Sequence, residues 1–577
     1  MTALLTDKLP LLAGAPNGIK KLRELILELA VRGKLVPQAP CDEPASDLLE
    51  RIAEEKARLV AEGKIKKGKA VDDAIAEISY PIPSTWAVAS LGQVVEIVRG
   101  ITFPASEKSK EPESGRVACL RTANVQNEIE WDDLLFIRDS FISRPDQYIQ
   151  PHDIVMSMAN SRELVGKVAL IGSALDQPTT FGGFLGVLRP VLIEPRFVMA
   201  LLRTPHARSV LIDSASQTTN IANVSLAKLR PLPFAIPPLS EQQRIVAKID
   251  ELMALCDRLE AQQADAESAH ARLVQALLDS LTQACDATDF AASWLRLAGH
   301  FHTLFTTESS IVALKQALLQ LAVMGKLVPQ DSSDEPASEL LNKIAAERTE
   351  LVKEGKLKKE KPFSEIKEQE FSFKTPKGWV WSRMGNLAQF QKGHAFKSED
   401  YLNNGLLITK IQNLTENHTQ NAAYINPERF SEFEKYLILE GDIVMTTVGS
   451  WFSAPTSAVG RSFLINNLFD NSLLNQNAVR VRCLREINTL YLFNYINSTI
   501  FKKYLIQEAQ GTANQASITQ DSIKKFLICL PPEKEQHRIV AKVDKLMALC
   551  DQLKTRLKQA RQLNEQLAST LIEQTVA

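Results

Sequence analysis

No part of the 577-residue sequence approaches the ~20 consecutive apolar residues that span a bilayer, and its most apolar stretches carry Lys, Arg or Glu every few positions. A soluble protein is expected. The seven cysteines form no Cys-x-x-Cys pair and no Cys/His grouping at zinc spacing. With no secretory signal in view, neither disulfides nor structural zinc is expected, and the expected setting is reduced and cytoplasmic. Neither sign of charge dominates: 67 Lys+Arg against 68 Asp+Glu leave a net −1, so no global basic field advertises nucleic acid, although a local patch is compatible with that balance.

Catalytic signatures are missing too. There is no GxxxxGK[ST]; Gly63-Lys64 and Gly325-Lys326 lack both the upstream glycine and the following hydroxyl residue that cradle phosphate and metal. No GxGxxG opens a helix, so no nucleotide or methyl-donor fingerprint is visible. Leu530-Pro-Pro-Glu533 lacks the polar first residue and the aromatic with which amino-methyltransferases grip a base. Asp153 and Asp442 head strands as a nuclease aspartate does, but no Glu-x-Lys follows, so turn or capping roles are expected of them. The eight histidines include no HExxH. A chain of this size without nucleophile, metal cluster or phosphate loop is expected not to be an enzyme.

What is present is ordinary in amount and unusual in order. Hydrophobic residues are 45% and charged residues 23%, a globular composition of about three to five folding units. The chain is written twice. Leu29-Ala-Val-Arg-Gly-Lys-Leu-Val-Pro-Gln38 returns as Leu321-Ala-Val-Met-Gly-Lys-Leu-Val-Pro-Gln330, followed by Asp42-Glu-Pro-Ala-Ser46 and Asp334-Glu-Pro-Ala-Ser338. Pro237-Pro238, Glu241-Gln242, Arg244-Ile-Val-Ala-Lys248 and Leu252-Met-Ala-Leu-Cys-Asp257 return as Pro531-Pro532, Glu535-Gln536, Arg538-Ile-Val-Ala-Lys542 and Leu546-Met-Ala-Leu-Cys-Asp551. Between these constant parts only a thin frame survives: Trp86/Trp379, Gly92/Gly385, Gly100/Gly393, Phe103/Phe396, Asp153/Asp442 and Asn220/Asn514.

The constant parts have helical periodicity. Leu22, Ile26 and Leu29, with Leu314, Leu318 and Leu321, keep one apolar face and stop at Gly33 or Gly325. A second helix is expected over about 45–62. The longest follows Pro-Pro, where Ser240 can cap it; Ile245, Ile249, Leu252, Cys256 and Leu259, and Ile539, Val543, Leu546, Cys550 and Leu553, recur at 4/3 spacing as a coiled-coil seam. The seam is expected to continue through Leu273, Leu277 and Leu281, or Leu563, Leu567 and Leu571, as a rod of ~60 Å. The variable parts hold short β-branched runs such as Val94–Val98, Asp153–Met156 and Gly441–Met445, and read as α+β heads. Trp86 and Trp379 are expected in cores, and Gly100 and Gly393 in turns at positive φ. Five regions result: helical residues 1–80, a first head 81–236, a central helical region 237–378, a second head 379–530, and a final helix 531–577.

The order helix pair, variable domain, Pro-Pro-x₂-Glu-Gln-x-Arg-Ile-Val-Ala helix, repeated once, resembles the specificity subunit of type I restriction-modification systems across essentially the whole chain. The Leu-Ala-Val-x-Gly-Lys-Leu-Val-Pro-Gln and Asp-Glu-Pro-Ala-Ser motifs are similar to those of its B-type subgroup. The resemblance implies two α+β target recognition domains separated by long antiparallel coiled-coil helices in a pseudo-twofold tandem repeat. It implies that each domain reads half of a split sequence in double-stranded DNA. It also implies that the helices bind two methyltransferase subunits and, in the full bacterial or archaeal complex, two restriction/translocase subunits. S-adenosylmethionine, ATP and Mg would then belong to those partners, with no cofactor on this chain. Two rivals stand beside it: a nuclease or methyltransferase with a degenerate site, and a coiled-coil scaffold whose heads bind proteins.

Base edges are read by Arg, Lys, Asn and Gln, and phosphates by these plus Ser and Thr, so polar clusters shared by both heads are the candidates. The first holds Arg121, Thr122, Asn124 and Gln126, matching Lys410, Gln412 and Asn413. The second holds Ser157, Asn160, Ser161 and Arg162, matching Thr446, Thr447 and Ser450. The third holds Gln217, Thr218, Thr219, Asn220 and Asn223, matching Thr512, Asn514, Gln515 and Ser517. The heads carry 15 basic against 15 acidic and 14 against 12 residues, so the chain alone is expected to bind DNA weakly.

Overall fold

The structure is a computed structural model that describes residues 12–65, 78, 80–161, 164–214, 216–217, 222–225, 229–284, 287–420, 422–451, 459–512 and 515–576. It divides into two compact units, Met1–Asp265 with Ala560–Ala577, and Ala266–Gln559. Each contains one head built on the same plan. In the first, Val95–Arg99, Leu185–Pro190, Ile154–Ser157 and Val168–Leu170 form an antiparallel sheet in that order. Ile154–Ser157 is buried on both faces, which is why Ile154-Val-Met156 reads as an apolar run without alternation. Arg116–Leu120 pairs antiparallel with Leu135–Arg138 and parallel with Thr179–Phe181. Ala159–Asn160, Ala222–Asn223 and Ser216–Gln217 make a small third sheet. The second head repeats this with Ala388–Lys392, Ala478–Cys483, Ile443–Thr446 and Ser462–Leu464; with Leu406–Thr409 beside Ala423–Ile425 and Ser472–Leu474; and with Val448–Gly449, Gln515–Ser517 and Gln510–Thr512.

Both heads close on a two-stranded ladder, Ala87–Ser90 with Pro233–Ile236 and Val380–Arg383 with Leu527–Leu530, just before the Pro-Pro pair that starts a long helix. Here the constant motifs meet, and their chemistry explains why they are constant. The Trp86 indole donates to Glu241 Oε2 at 3.1 Å, and that of Trp379 to Glu535 Oε2 at 3.0 Å. Gln242 donates to Pro237 O (2.8 Å) and accepts from Glu194 N (2.9 Å); Gln536 does the same with Pro531 O (3.2 Å) and Asn488 N (2.9 Å). Arg244 pairs with Asp42, and Arg538 with Asp334, each at 2.5 Å. Gly33 (φ +67°) and Gly325 (φ +69°) end the first helix of each pair, where a Cβ would meet Pro83 at 2.5 Å or Pro376 at 2.8 Å. Trp86 packs edge-on to Phe197 at 6.3 Å and Trp379 to Tyr491 at 6.4 Å, the expected core role.

The helices are Gly18–Val31, Ala45–Ala61, Glu308–Val323 and Ala337–Lys353, with two long ones, Leu239–Thr282 and Glu533–Val576, of 44 residues each. At 1.5 Å per residue each long helix is about 66 Å. The first starts at Leu239, immediately after the proline pair, so Ser240 lies inside it. Its first part belongs to one unit and its remainder to the other, and the second long helix is divided likewise.

In the first unit Leu252, Cys256 and Leu259 pack with Leu22, Ile26, Ala568 and Leu571. In the second, Val274 and Leu278 share a core with Leu314, Leu318, Leu546 and Cys550, and Leu553 packs against it. A third helix thus joins each seam. Two seam expectations change. Ile245 lies in the head core with Trp86 and Phe234, because the first turn of the long helix is part of the head; Ile249 packs against both that core and the helical one. Ile539 and Val543, at 0% and 1% exposure, stay with Leu546 and Cys550 in one core, which also takes in Trp379 and Tyr491 of the head. Leu273, Leu277, Leu563 and Leu567 face outward, since the inward positions are Val274, Leu278 and Leu281, and Ala568 and Leu571.

Two frame expectations also change. Gly100 and Gly393 do not have positive φ; a Cβ there would lie 2.1 Å from Gly182 O or 1.9 Å from Asn475 O, so these glycines permit two chain segments to touch. Asp153 and Asp442 do hold turns, accepting from Gln150 N and Leu439 N at 2.8 Å, and each also takes a bidentate ion pair, from Arg189 (2.8 and 2.8 Å) and Arg482 (2.7 and 2.6 Å).

Candidate nucleic-acid interface

The first polar cluster is mostly scaffold. Arg121 N donates to Asn124 Oδ1 at 2.9 Å, and Asn124 Nδ2 donates to Glu130 O and Asp133 O at 2.9 and 3.1 Å. Lys410 N donates to Asn413 Oδ1 at 3.1 Å, and Asn413 Nδ2 to His418 O at 3.4 Å. Both carboxamides are buried and bound to the backbone of their own turn, so neither Asn124 nor Asn413 has an edge to offer a base. Arg121 pairs with Asp133 at 2.6 Å, and Gln126 accepts from Lys167 Nζ at 2.9 Å. Lys410 sits over the Tyr401 ring at 4.7 Å, and exposed Gln412 donates to Glu416 at 3.1 Å.

The second and third clusters, far apart in sequence, are brought together. Asn160 pairs with Ala222 and Ala159 with Asn223 in the small sheet of the first head. In the second, Val448 and Gly449 pair with Ser517 and Ala516, and the hairpin continues through Thr512↔Gln515. Gln515 and Ser517 are exposed while Ala516 between them is buried, the period of a strand with one face free. Thr512 is exposed as well, and its carbonyl accepts from the Trp451 indole at 2.8 Å. Gly511 has to be glycine, because a Cβ would lie 2.0 Å from Gln515 O. Asn223 is exposed and Asn160 half-buried. Thr446 and Thr447 sit at 2% and 4% exposure and so are inner residues of the head, a correction to their expected place at its surface. Arg162, Thr218, Thr219, Asn220 and Asn514 lie outside the described residues.

Sequence reasoning missed two residues at these ribbons. Trp451 ties the loop after Val448–Gly449 to the hairpin. Phe184 is 66% exposed, and its carbonyl accepts from Met158 N (2.8 Å) and Ala159 N (3.3 Å), which fixes it beside the strand that carries Asn160. Its place in the second head is taken by Asn477, whose carbonyl accepts from Thr447 N at 2.8 Å. The signal was an aromatic after Gly182-Gly183 with no apolar neighbour at strand spacing. A narrow antiparallel ribbon with polar side chains on its free face is a shape that a DNA major groove admits.

With this geometry in view, the comparison with known proteins is decisive: the type I restriction modification DNA specificity domain matches residues 83–267 and again 376–561. The chain belongs to that family. Each match takes in one head and the start of the long helix that follows it. Among members, the chain is 37% identical to the type I restriction enzyme EcoAI specificity subunit of Escherichia coli, over 97% of this chain and 94% of that protein. It is 36% identical to the EcoEI specificity subunit of the same organism, over 96% and 93%. The EcoKI specificity subunit of Escherichia coli strain K12 is 24% identical, over 83% and 86%. The family match coincides with the doubled head and leaves out the first helix pair. Among the described residues no group of His, Cys, Asp and Glu could hold a metal ion, and no helix is long and apolar enough to cross a membrane.

Proposed function

We propose that this chain is the DNA sequence-specificity subunit of a type I restriction-modification complex, each head reading one half of a bipartite duplex target. The observation that carries this is a head used twice, with the same mount and the same sheets, whose outward ribbons differ: Asn160, Asn223 and Phe184 in one, Thr512, Gln515, Ser517 and Trp451 in the other. A constant mount with a varied ribbon suits two different half-sites in one target. The chain itself is non-catalytic and acts in the cytoplasm. Methylation and cleavage belong to two methyltransferase and two restriction/translocase partners, which carry S-adenosylmethionine, ATP and Mg.

The methyltransferases dock on the later parts of the long helices. Leu273 and Leu277 in one unit are 53% and 37% exposed, and Leu563 and Leu567 in the other are 57% and 56% exposed. Large apolar side chains grouped on one helix surface favour a protein partner. Modification mapping of DNA treated with the reconstituted complex tests the whole reading. The expected result is methylation at one split sequence; methylation without sequence preference, or by this chain unaided, overturns it.

A further inference from the structure

The segment after the second helix of each helical pair is lysine-rich in both halves of the chain: Gly63-Lys-Ile-Lys-Lys-Gly-Lys69 and Gly355-Lys-Leu-Lys-Lys-Glu-Lys361. Lys66, Lys67 and Lys69 lie outside the described residues, whereas the second run is described throughout. There Lys353, Lys356, Lys358, Lys359 and Lys361 are exposed. Lys356 pairs with Glu354 at 2.8 Å. Glu360, the one acid inside the run, is taken by Lys524 at 2.5 Å and Arg348 at 3.5 Å. Among the described residues, Lys353, Lys358, Lys359 and Lys361 enter no ion pair.

The run is held against its head. Arg348 donates to Gly385 O, and Phe363 lies so close to Gly385 that a Cβ there would meet its ring at 2.5 Å. Lys56, at the same place on the first unit's helix, donates to Gly92 O at 2.8 Å and Val95 O at 3.1 Å. Both helices are therefore clamped to the same turn of their heads. Beside the second run lies a groove of 650 Å³ lined by Lys353, Lys358, Lys359, Ser382, Asn386 and the ion-paired Glu360, among others. Lys353, Lys358 and Lys359, which enter no ion pair among the described residues, stand there among hydroxyl and amide donors, a combination that matches the chemistry of a phosphodiester chain.

We infer that this groove and its lysines hold the phosphate backbone of duplex DNA beside the half-site that the head reads. The inference rests on the DNA-specificity reading above. A nucleic acid is favoured over an acidic protein for two reasons. The second head, with 14 basic and 12 acidic residues, has little charge of its own to neutralise a duplex. The groove is also joined to the ribbon by a short stretch of chain: Lys524, which holds Glu360, lies in the last turn of a short helix, Gln520–Lys525, that begins three residues after the ribbon strand Gln515–Ser517.

The test compares complexes reconstituted with the parent chain and with a variant carrying Lys358→Gln, Lys359→Gln and Lys361→Gln, binding a target duplex and a scrambled one across a salt series. At about 0.9 per phosphate contact, the slope of log K against log salt should fall by about 2.7. A fourfold rise in salt then costs the variant about 40-fold less affinity than the parent, and preference for the target is kept. The triple Lys→Arg variant should retain the parent slope, which separates lost charge from lost fold. A parent complex that prefers no sequence overturns the specificity reading and this inference together. A selective parent with an unchanged slope in the variant overturns the groove alone. An unchanged slope with loss of the methyltransferase on a sizing column gives the run to a protein partner and overturns the inference too.

Discussion

Glu535 and Glu241 occupy the same place in the two junctions and differ in one neighbour. Glu241 accepts from Trp86 and, on its other oxygen, from Gln38 at 2.7 Å. Glu535 accepts from Trp379, but its Oε1 is buried with no partner among the described residues, and burial pushes its carboxyl up to about 7. Between the ordinary glutamate range and pH 7 the folded protein therefore binds a proton that the unfolded chain does not. The stability contributed is complete at low pH and is lost as pH rises through 7. Glu535→Gln should flatten that fall, by about 1 kcal/mol between pH 6 and 8, measured as unfolding midpoints of the two proteins at each pH. The same slope in both would remove Glu535 as its cause. Phe184 carries a second residue-scale expectation. As an exposed aromatic fixed beside Asn160, it is suited to stacking or to a thymine methyl. Phe184→Ala should cost roughly tenfold in affinity for one half-site and leave the salt slope unchanged; equal loss at both halves would place Phe184 outside the reading surface.

At the scale of elements, the ribbon turns its polar side chains outward, whereas the turn buries its own. Gln515→Ala with Ser517→Ala removes outward side chains and should relax selectivity in one half of the target, at roughly 1–3 kcal/mol per lost base contact. Modification mapping that finds both halves relaxed would make the ribbon a phosphate clamp. Asn124→Ala and Asn413→Ala leave buried backbone groups unpaired, so each should cost about 1–3 kcal/mol of stability. Thermal midpoints should drop, with half-site preference intact in the folded complex. Residue type alone did not distinguish these cases. Asn124, Thr446 and Gln515 are all polar residues near strand ends, and which of them faces water depends on strands that pair across long sequence distances.

For the whole molecule, the repeated motifs at the start of the long helices and the later parts of those helices differ in what their side chains face. Glu241, Gln242, Arg244 and Ile245 are consumed in fixing a head to its helix, as are Glu535, Gln536, Arg538 and Ile539. Charged substitutions there should unfold the junction. Leu273→Glu with Leu567→Glu instead alters exposed positions, so folding should be kept, within about 0.5 kcal/mol, while assembly with the methyltransferase is lost. Sizing chromatography of the mixed subunits checks this, and an intact complex would move the docking surface elsewhere.

The tandem plan, the helix pairs, the length of the long helices and the core role of Trp86 and Trp379 were legible from the sequence because each rests on local spacing or on near-identity between two copies. A 3.6-residue period, a terminating glycine and a repeated motif need no knowledge of what lies opposite. Only the tertiary structure decided the rest. It turned Leu273 outward and Val274 inward, joined Asn160 to Ala222 and Asn223 in one small sheet, and committed Asn124 to its own turn. It also gave Gly100 its reason in a carbonyl 81 residues further along the chain, at Phe181, and another at Gly182. Each of these depends on what the long-range pairing places opposite a residue, and burial and hydrogen-bond satisfaction are settled there, beyond the reach of any sequence window.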